Sequence, residues 1–356
     1  MANTLTAYPG GLTFDEVGAL VQDYYMPPIR DQYFLGNVLY WELRRRGRVK
    51  KYAGGRAIVQ PLSFSPEGKG GQWWSGVDKL NTQVVSPITS SVYFRKNFSL
   101  PVVLTRDEED SVNGPTALTS LVEAKMEIAR PSAVEAVQKA LYSDGTDPKM
   151  LTGLEYALKS GASGTTNAPT MTYGGISAST SNNTWWNAQY DNAANGTYTT
   201  GAGQTFAQGN PGFGPIGKMY SRIARLSGKR PNLLLSNWGL FSDYEFALNN
   251  QVRYTQPQQR NDMAEAGFIN LMYKKAAWVV DEMAPHSAAN KEPLYFLFTD
   301  AMWLVIHQDR DMSWDNWREP TDQKVRVGYI DWSGELVITE RRAFGKIDNV
   351  DATLTT

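Results

Sequence analysis

The stretch Asn113–Asp144, NGPTALTSLVEAKMEIARPSAVEAVQKALYSD, decides how the rest of the chain is read. Its apolar side chains recur at Leu118, Leu121, Val122, Met126, Ala129, Ala133, Ala136, Val137, Ala140 and Leu141, which is the period of a helix. Asn113-Gly114 ahead of Pro115 is a start signal, because proline at the first helical position gives up only an amide that would lack a partner anyway. Asp144-Gly145 is the matching stop. Such a helix would span roughly 40 Å at ~1.5 Å per residue, more than a small core can cover. Pro131 falls inside it, where proline removes a hydrogen bond and crowds the preceding turn, so a kink is expected there. Taken alone this is an ordinary core helix, and its surroundings give it a larger role.

Composition limits the possible functions. A chain of 356 residues holds one large or two ordinary domains, and 42% hydrophobic with 12% aromatic is ample for a core. The net charge of −1 argues against a protein that condenses nucleic acid or coats an anionic membrane. It also does little to oppose self-association. Cysteine is absent, which excludes disulfides, a thiol nucleophile and thiolate metal sites. MANTLTAYPGG has no signal-peptide pattern and no apolar run is long enough to cross a bilayer, so a soluble, cytoplasmically made chain with no membrane partner is expected.

Upstream of the helix, residues 1–12 carry no period and read as an arm. Thr13-Phe14-Asp15-Glu16 is a capping-box pattern that opens a short helix to about Tyr25, closed by Pro27-Pro28. A second helix is expected over Gln32–Leu43. It leads into Arg44, Arg45 and Arg46 and a basic run through Arg48, Lys50, Lys51 and Arg56. A solvated face or a subunit contact explains this run better than nucleic-acid binding, since no aromatic stacking pattern accompanies it. Residues 57–99 read as a long hairpin: AIVQPLSF goes out, VVSPITSSVYFRKNFSL returns, and the prolines suit edge strands. Its glycine-rich tip carries Lys69, Trp73, Trp74 and Lys79 and lacks the phosphate-loop pattern. A two-stranded ribbon cannot bury its own tip, so two tryptophans there need another surface.

Downstream, Leu151–Leu158 reads as a short helix, and residues 160–214 turn rich in Gly, Ser, Thr, Asn and Ala. Tyr173, Ile176, Trp185, Trp186 and Tyr190 argue for ordered packing within this insertion. An α/β pattern follows: a helix through Ile216, Met219, Ile223 and Leu226, the run Leu233-Leu234-Leu235, and a helix capped by Asn237. GFINLMY, KAAWVVDEM, PLYFLFTD and MWLVIHQ are then each of strand length. The tail KVRVGYIDWSGELVITERRAFGKI reads as a hairpin turning at Ser333-Gly334.

This order of elements resembles the major capsid proteins of tailed double-stranded DNA phages, of the Hong Kong ninety-seven type. The nearer local matches are Tyr173-Gly174-Gly175-Ile176 with Trp185-Trp186-Asn187, and Pro231-Asn232-Leu233-Leu234-Leu235 before a helix. Gly267-Phe268 leading to Val279-Val280-Asp281, and Tyr295-Phe296-Leu297 with Asp300-Ala301, complete the set. The likeness runs from about Leu12 to the end, and its weight lies in the order of the motifs.

The resemblance implies a mixed α+β and α/β capsid fold: an arm and first helix (1–30), a second helix and basic run (31–56), an extended hairpin loop (57–99), a peripheral domain with the spine helix (100–144), an axial domain (145–320) and a C-terminal hairpin returning to the peripheral domain (321–356). It implies hexamers and pentamers of this chain forming an icosahedral virion shell, assembled in the host cytoplasm around packaged DNA that is held without sequence-specific contact. Trp73, Trp74, Lys69, Lys79, Arg44, Arg45 and Arg46 become candidate intersubunit contacts. The N-terminal part is too short for a large built-in scaffolding domain, so scaffolding is expected from a separate protein or is unnecessary, with a portal and a possible cement protein as further partners. Some relatives cross-link a lysine to an asparagine; Lys69 and Lys79 lie in the hairpin, but no asparagine partner or activating carboxylate can be named here, so no cross-link is assigned.

The chemical constellations fail. His286 and His307 are the only histidines, too few for a zinc site without carboxylates of known spacing. Asp309–Ser313 starts like a calcium loop, but the sixth position is Trp314 and the twelfth Pro320. Asp107-Glu108-Glu109-Asp110 reads as a solvated acidic turn. No cofactor and no enzyme activity are expected. The alternatives are a nucleic-acid-binding protein using Arg44–Arg56, and a carbohydrate-active enzyme suggested by the Trp and Tyr surplus with scattered acids.

Overall fold

The computed structural model describes residues 37–65, 73–80, 86–111, 115–158, 172–177, 181–192, 213–249, 270–285 and 291–352. The expected arm and first helix (1–30), Lys69 and much of 160–214 lie outside these residues. In chain order the elements begin with α1 (Val38–Arg45), β1 (Val49–Tyr52), β2 (Ala57–Ser63), β3 (Ile88–Phe94), β4 (Lys96–Thr105), α2 (Arg106–Ser111), α3 (Pro115–Ala140) and α4 (Leu154–Leu158). There follow β5 (Thr172–Tyr173), β6 (Ile176–Ser177), β7 (Gln189–Asn192), α5 (Phe213–Ser227), β8 (Leu233–Ser236) and α6 (Trp238–Asn249). The chain closes with β9 (Asn270–Tyr273), β10 (Ala276–Val280), β11 (Lys291–Leu297), β12 (Met302–His307), β13 (Ser313–Arg318), β14 (Val325–Ile338) and β15 (Gly345–Asp351).

A six-stranded sheet of order β7-β15-β11-β8-β10-β9 is buried on both faces, which explains its near-continuous apolar runs. Alternation sorts the side chains. Leu234, Ala276, Trp278, Val280, Leu294 and Phe296 face α5 and α6. Leu233, Leu235, Ala277, Val279, Tyr295 and Leu297 face the opposite core. Helix α5 meets the first face with Ile216, Met219, Tyr220 and Ile223, one amphipathic stripe. Asn237 Oδ1 accepts from the Trp238 amide at 2.6 Å, at the start of α6.

The second sheet has the order β1-β12-β14-β13, with β4 also on β14. Helix α3 spans the two cores. Its Ala129 and Ala133 lie with Val102 and Ile330 over β4 and β14, while Val137, Ala140 and Leu141 enter the core below the six-stranded sheet. Pro131 stands inside this one helix, just ahead of the change from one core to the other.

Three expectations are corrected. The tail does not turn at Ser333-Gly334: β14 is one strand of 14 residues, and the hairpin partner lies before it, in β13. β14 pairs with β4 from Val325 to Gly334 and with β12 from Gly334 to Ile338, and β15 joins the six-stranded sheet beside β7 and β11. Gly334 serves close approach instead of a turn, since a Cβ there would lie 2.7 Å from the Val305 carbonyl oxygen and 2.8 Å from the Trp332 ring. The return limb of the 57–99 hairpin ends at Phe94, and Lys96–Leu100 belongs to β4. The acidic turn is the helix α2. Its Glu108 is buried and bound to Lys125 Nζ of α3 at 2.7 Å, so it ties the start of the spine helix to β4.

Candidate intersubunit surface

The β2–β3 ribbon pairs from Ala57↔Phe94 to Ser63↔Ile88, and alternation gives it two unlike faces. The inner face carries the buried Leu62, Ser91 and Tyr93. Tyr93 donates its hydroxyl to the Ile338 carbonyl at 2.8 Å, and the Val92 amide donates to the Gly174 carbonyl at 2.9 Å. Gly174 has φ +59, and a Cβ there would stand 2.9 Å from Ser91 Cβ and 3.0 Å from the Tyr93 ring. Phe64 stacks on Trp185 with ring centroids 5.5 Å apart. The base of the ribbon is therefore fixed by the aromatic residues of the insertion, with Tyr173 and Trp186 fully buried beneath it.

The outer face is apolar and open. Val59, Ile88 and Phe94 are exposed on it, and the tip adds Trp73 at 100% exposure, Trp74 at 63%, Val77 and Leu80. Exposed apolar side chains grouped on one face and on the segment between the strands are the kind of surface a partner covers. Lys79 is exposed beside these residues.

The basic run is largely neutralised by its own chain. Glu42, buried in α1, takes Arg45 at 2.9 Å and Arg46 at 2.5 Å. Asp300 takes Arg46 at 3.4 Å and Arg48 at 3.0 Å, and Lys51 pairs with Asp311 at 2.8 Å. Arg48 and Lys50 both lie over the Trp303 ring, at 4.6 and 3.9 Å. Arg44 is exposed. Charges engaged in this way are poorly available for the many phosphate contacts that drive nucleic-acid binding.

Several buried polar groups escaped sequence reasoning. Asp281, at the end of β10, accepts from Tyr142 Oη at 2.7 Å, from the Leu39 amide at 3.1 Å and from the Met283 amide at 3.0 Å. Burial holds its carboxyl above the usual range while these donors pull the other way. Burial likewise pushes Glu335 up to about 7, against the Thr152 and Leu336 amides and Lys96. Lys346, buried in β15, pairs with Glu155 at 2.6 Å and Asp348 at 3.0 Å, and Tyr295 donates to the same Glu155. An acid closing an apolar strand, as in Val279-Val280-Asp281, was the one sequence signal for any of these. Among the described residues no three His, Asp or Glu are grouped to hold a metal ion, and no helix is long and apolar enough to cross a membrane.

No family profile matches the chain, and no curated protein matches it in sequence. Solved structures do match from end to end. The capsid asymmetric unit of Cyanophage A-1(L) superposes with a TM-score of 0.62 at 16% identity, over 92% of this chain and 95% of that one. The capsid of Myoviridae phage XM1 gives 0.55 at 10% identity, over 96% and 100%. The SrpI encapsulin complex of Synechococcus elongatus gives 0.50 at 10% identity, over 92% and 94%. The chain has the mixed α and β fold of tailed-phage capsid proteins, which an encapsulin shares.

Proposed function

We propose that the chain is the major capsid protein of a tailed bacteriophage, assembling with itself into hexamers and pentamers that close an icosahedral shell around packaged double-stranded DNA. The observation that carries this reading is the correspondence of nearly the whole chain to the full length of phage capsid subunits. An insertion or a missing domain would have left part of one chain unmatched. The open apolar ribbon supports it independently, because exposing Trp73 and Trp74 is costly unless another subunit covers them. In this reading the protein is structural and has no enzymatic role. A scaffolding protein, a portal and a cement protein are its further partners, and Lys69, Lys79 and Arg44–Arg46 are additional contact residues.

The test is electron microscopy of the purified protein, alone and co-expressed with a scaffolding protein. Closed shells, tubes or capsomers support the assignment. A protein that stays monomeric in both cases, and instead shifts nucleic acid in a salt-sensitive way or hydrolyses oligosaccharides, would overturn it.

A further inference from the structure

Glu335 stands on β14 beside the point where that strand changes neighbours. β4 pairs with β14 as far as Lys96 opposite Gly334, and β12 lies alongside from Gly334 to Ile338, with Val305 opposite Glu335. The segment that joins α3 to α4 closes over this seam. Its two limbs are zipped together, the Leu154 amide donating to the Leu141 carbonyl at 2.7 Å and the Tyr156 amide to the Ser143 carbonyl at 3.1 Å. Two further contacts hold the loop between them to the sheet. The Thr152 amide donates to Glu335 Oε1 at 2.9 Å, and Lys96 Nζ donates to the Pro148 carbonyl. Inside the loop, the Met150 amide donates to the Asp147 carbonyl at 3.1 Å.

The carboxyl under this loop is only half satisfied. Glu335 is 1% exposed. Its Oε1 also accepts from the Leu336 amide at 3.2 Å, whereas Oε2 is buried and meets no donor among the described residues. A buried charge with one oxygen unsatisfied costs far more than a neutral carboxyl carrying its proton there. The groups that face Glu335 are few. β4 contributes Lys96, the one charge that bears on it, and β5 contributes the phenol of Tyr173. β12 opposes it with Val305 between Leu304 and Ile306, none of which titrates. Lys96 is already engaged by Pro148, so the ionised carboxylate gains that cation, or water, only if the loop moves.

We propose that Glu335 is a proton-operated clasp: with its proton it lets the loop between α3 and α4 lie closed over the β4–β14 seam, and on releasing the proton to solvent it draws Lys96 from Pro148 and lifts the loop. Burial holds the folded carboxyl at about 7, above its ordinary 4.5, so the closed state is favoured below that range and weakens as pH rises through 7. The same segment begins with Tyr142, which bonds Asp281. The clasp therefore acts where the spine helix is joined to the six-stranded sheet. The inference concerns the subunit alone and does not require the capsid reading.

The experiment is hydrogen–deuterium exchange of the full-length unassembled protein, read on peptides covering residues 144–156 and corrected for the intrinsic effect of pH on exchange. Protection of these amides should fall ~tenfold or more between pH 5.5 and pH 8, while peptides of β10 and β11 keep theirs. In Glu335→Gln the protection of 144–156 should stay high across the range. Lys96→Met removes the charge that favours the carboxylate, so the midpoint of the fall should move to higher pH. If Glu335→Gln does not fold, the Lys96→Met midpoint decides alone. The same pH dependence in Glu335→Gln as in wild type, or a midpoint unmoved in Lys96→Met, would overturn the inference.

Discussion

Tyr142 donates its hydroxyl to the Asp281 carboxylate across 2.7 Å, joining residues 139 positions apart. Tyr142 follows the last turn of the spine helix, and Asp281 follows β10 of the six-stranded sheet. The same carboxylate oxygen receives the Leu39 amide in the first turn of α1. One buried acid thus fixes three elements to one another, and favours the start of α1 electrostatically.

Tyr142→Phe should therefore cost about 1–3 kcal/mol, because it leaves a buried acceptor short of a donor. Asp281→Asn should cost a comparable amount. In a double-mutant cycle followed by urea unfolding, the two losses should fall well short of adding. Strict additivity would mean that the hydroxyl and the carboxylate do not act as a pair.

Glu335 makes a prediction about pH. Its folded pKa, near 7, lies above the ordinary carboxylate value of 4.5, so the folded state binds the extra proton in that window. Stability contributed by this group is present below about pH 4.5 and is lost as pH rises to about 7. Glu335→Gln removes the titration. The variant should gain on wild type by up to about 3 kcal/mol between pH 4.5 and pH 8. Chemical denaturation at several pH values tests it, and parallel curves for the two proteins would refute it.

Much of the fold was legible in the sequence because it rests on local period. The spine helix, the start of α6 after Asn237 and the strands around Leu234, Trp278 and Phe296 each declare themselves by spacing and by neighbours in the chain. The errors came where a long-range contact overrides a local signal. Ser333-Gly334 has the composition of a hairpin turn, yet the glycine is there to let Trp332 and the Val305 carbonyl approach. Glu108 looks solvated in an acidic run, yet it meets Lys125 of the spine helix. In Arg341-Arg342 the first arginine is buried, and nothing local tells which of the two turns inward. The candidate surface was easier to read, since Trp73 and Trp74 at the end of a two-stranded ribbon have no core within reach.

Pro131 lies inside α3 between Ala129 and Ala133, which serve the β4–β14 core, about two turns ahead of Val137, Ala140 and Leu141, which serve the core below the six-stranded sheet. Proline cannot supply the amide that would bond the carbonyl four residues earlier, and its ring crowds that carbonyl, which bends a helix away from the proline side. Pro131→Ala should restore that bond with little effect on folding, and should change the angle between the two halves. In assembled particles this is expected as a change in diameter or in the ratio of closed shells to tubes. Wild-type dimensions and yields would mean that Pro131 has no part in curvature.

The last prediction concerns the ribbon tip. Trp73 is entirely exposed and Trp74 largely so, while the ribbon's root is held by Tyr93, Val92 and Phe64. Removing the two indoles should therefore leave the subunit's own cores intact. In an assembly, by contrast, each buried interface tryptophan commonly contributes ~2 kcal/mol or more, repeated in every subunit. Trp73→Ala combined with Trp74→Ala should give a subunit that melts cooperatively at the wild-type temperature. It should form few shells, or shells that come apart at lower temperature, as followed by light scattering and negative-stain microscopy. Wild-type yield and thermal stability of the particles would remove the ribbon tip as an intersubunit clamp. Failure of the double variant to fold would place the tryptophans in the subunit's own structure instead. A variant defective only in assembly would tie the exposed indoles directly to contacts between subunits.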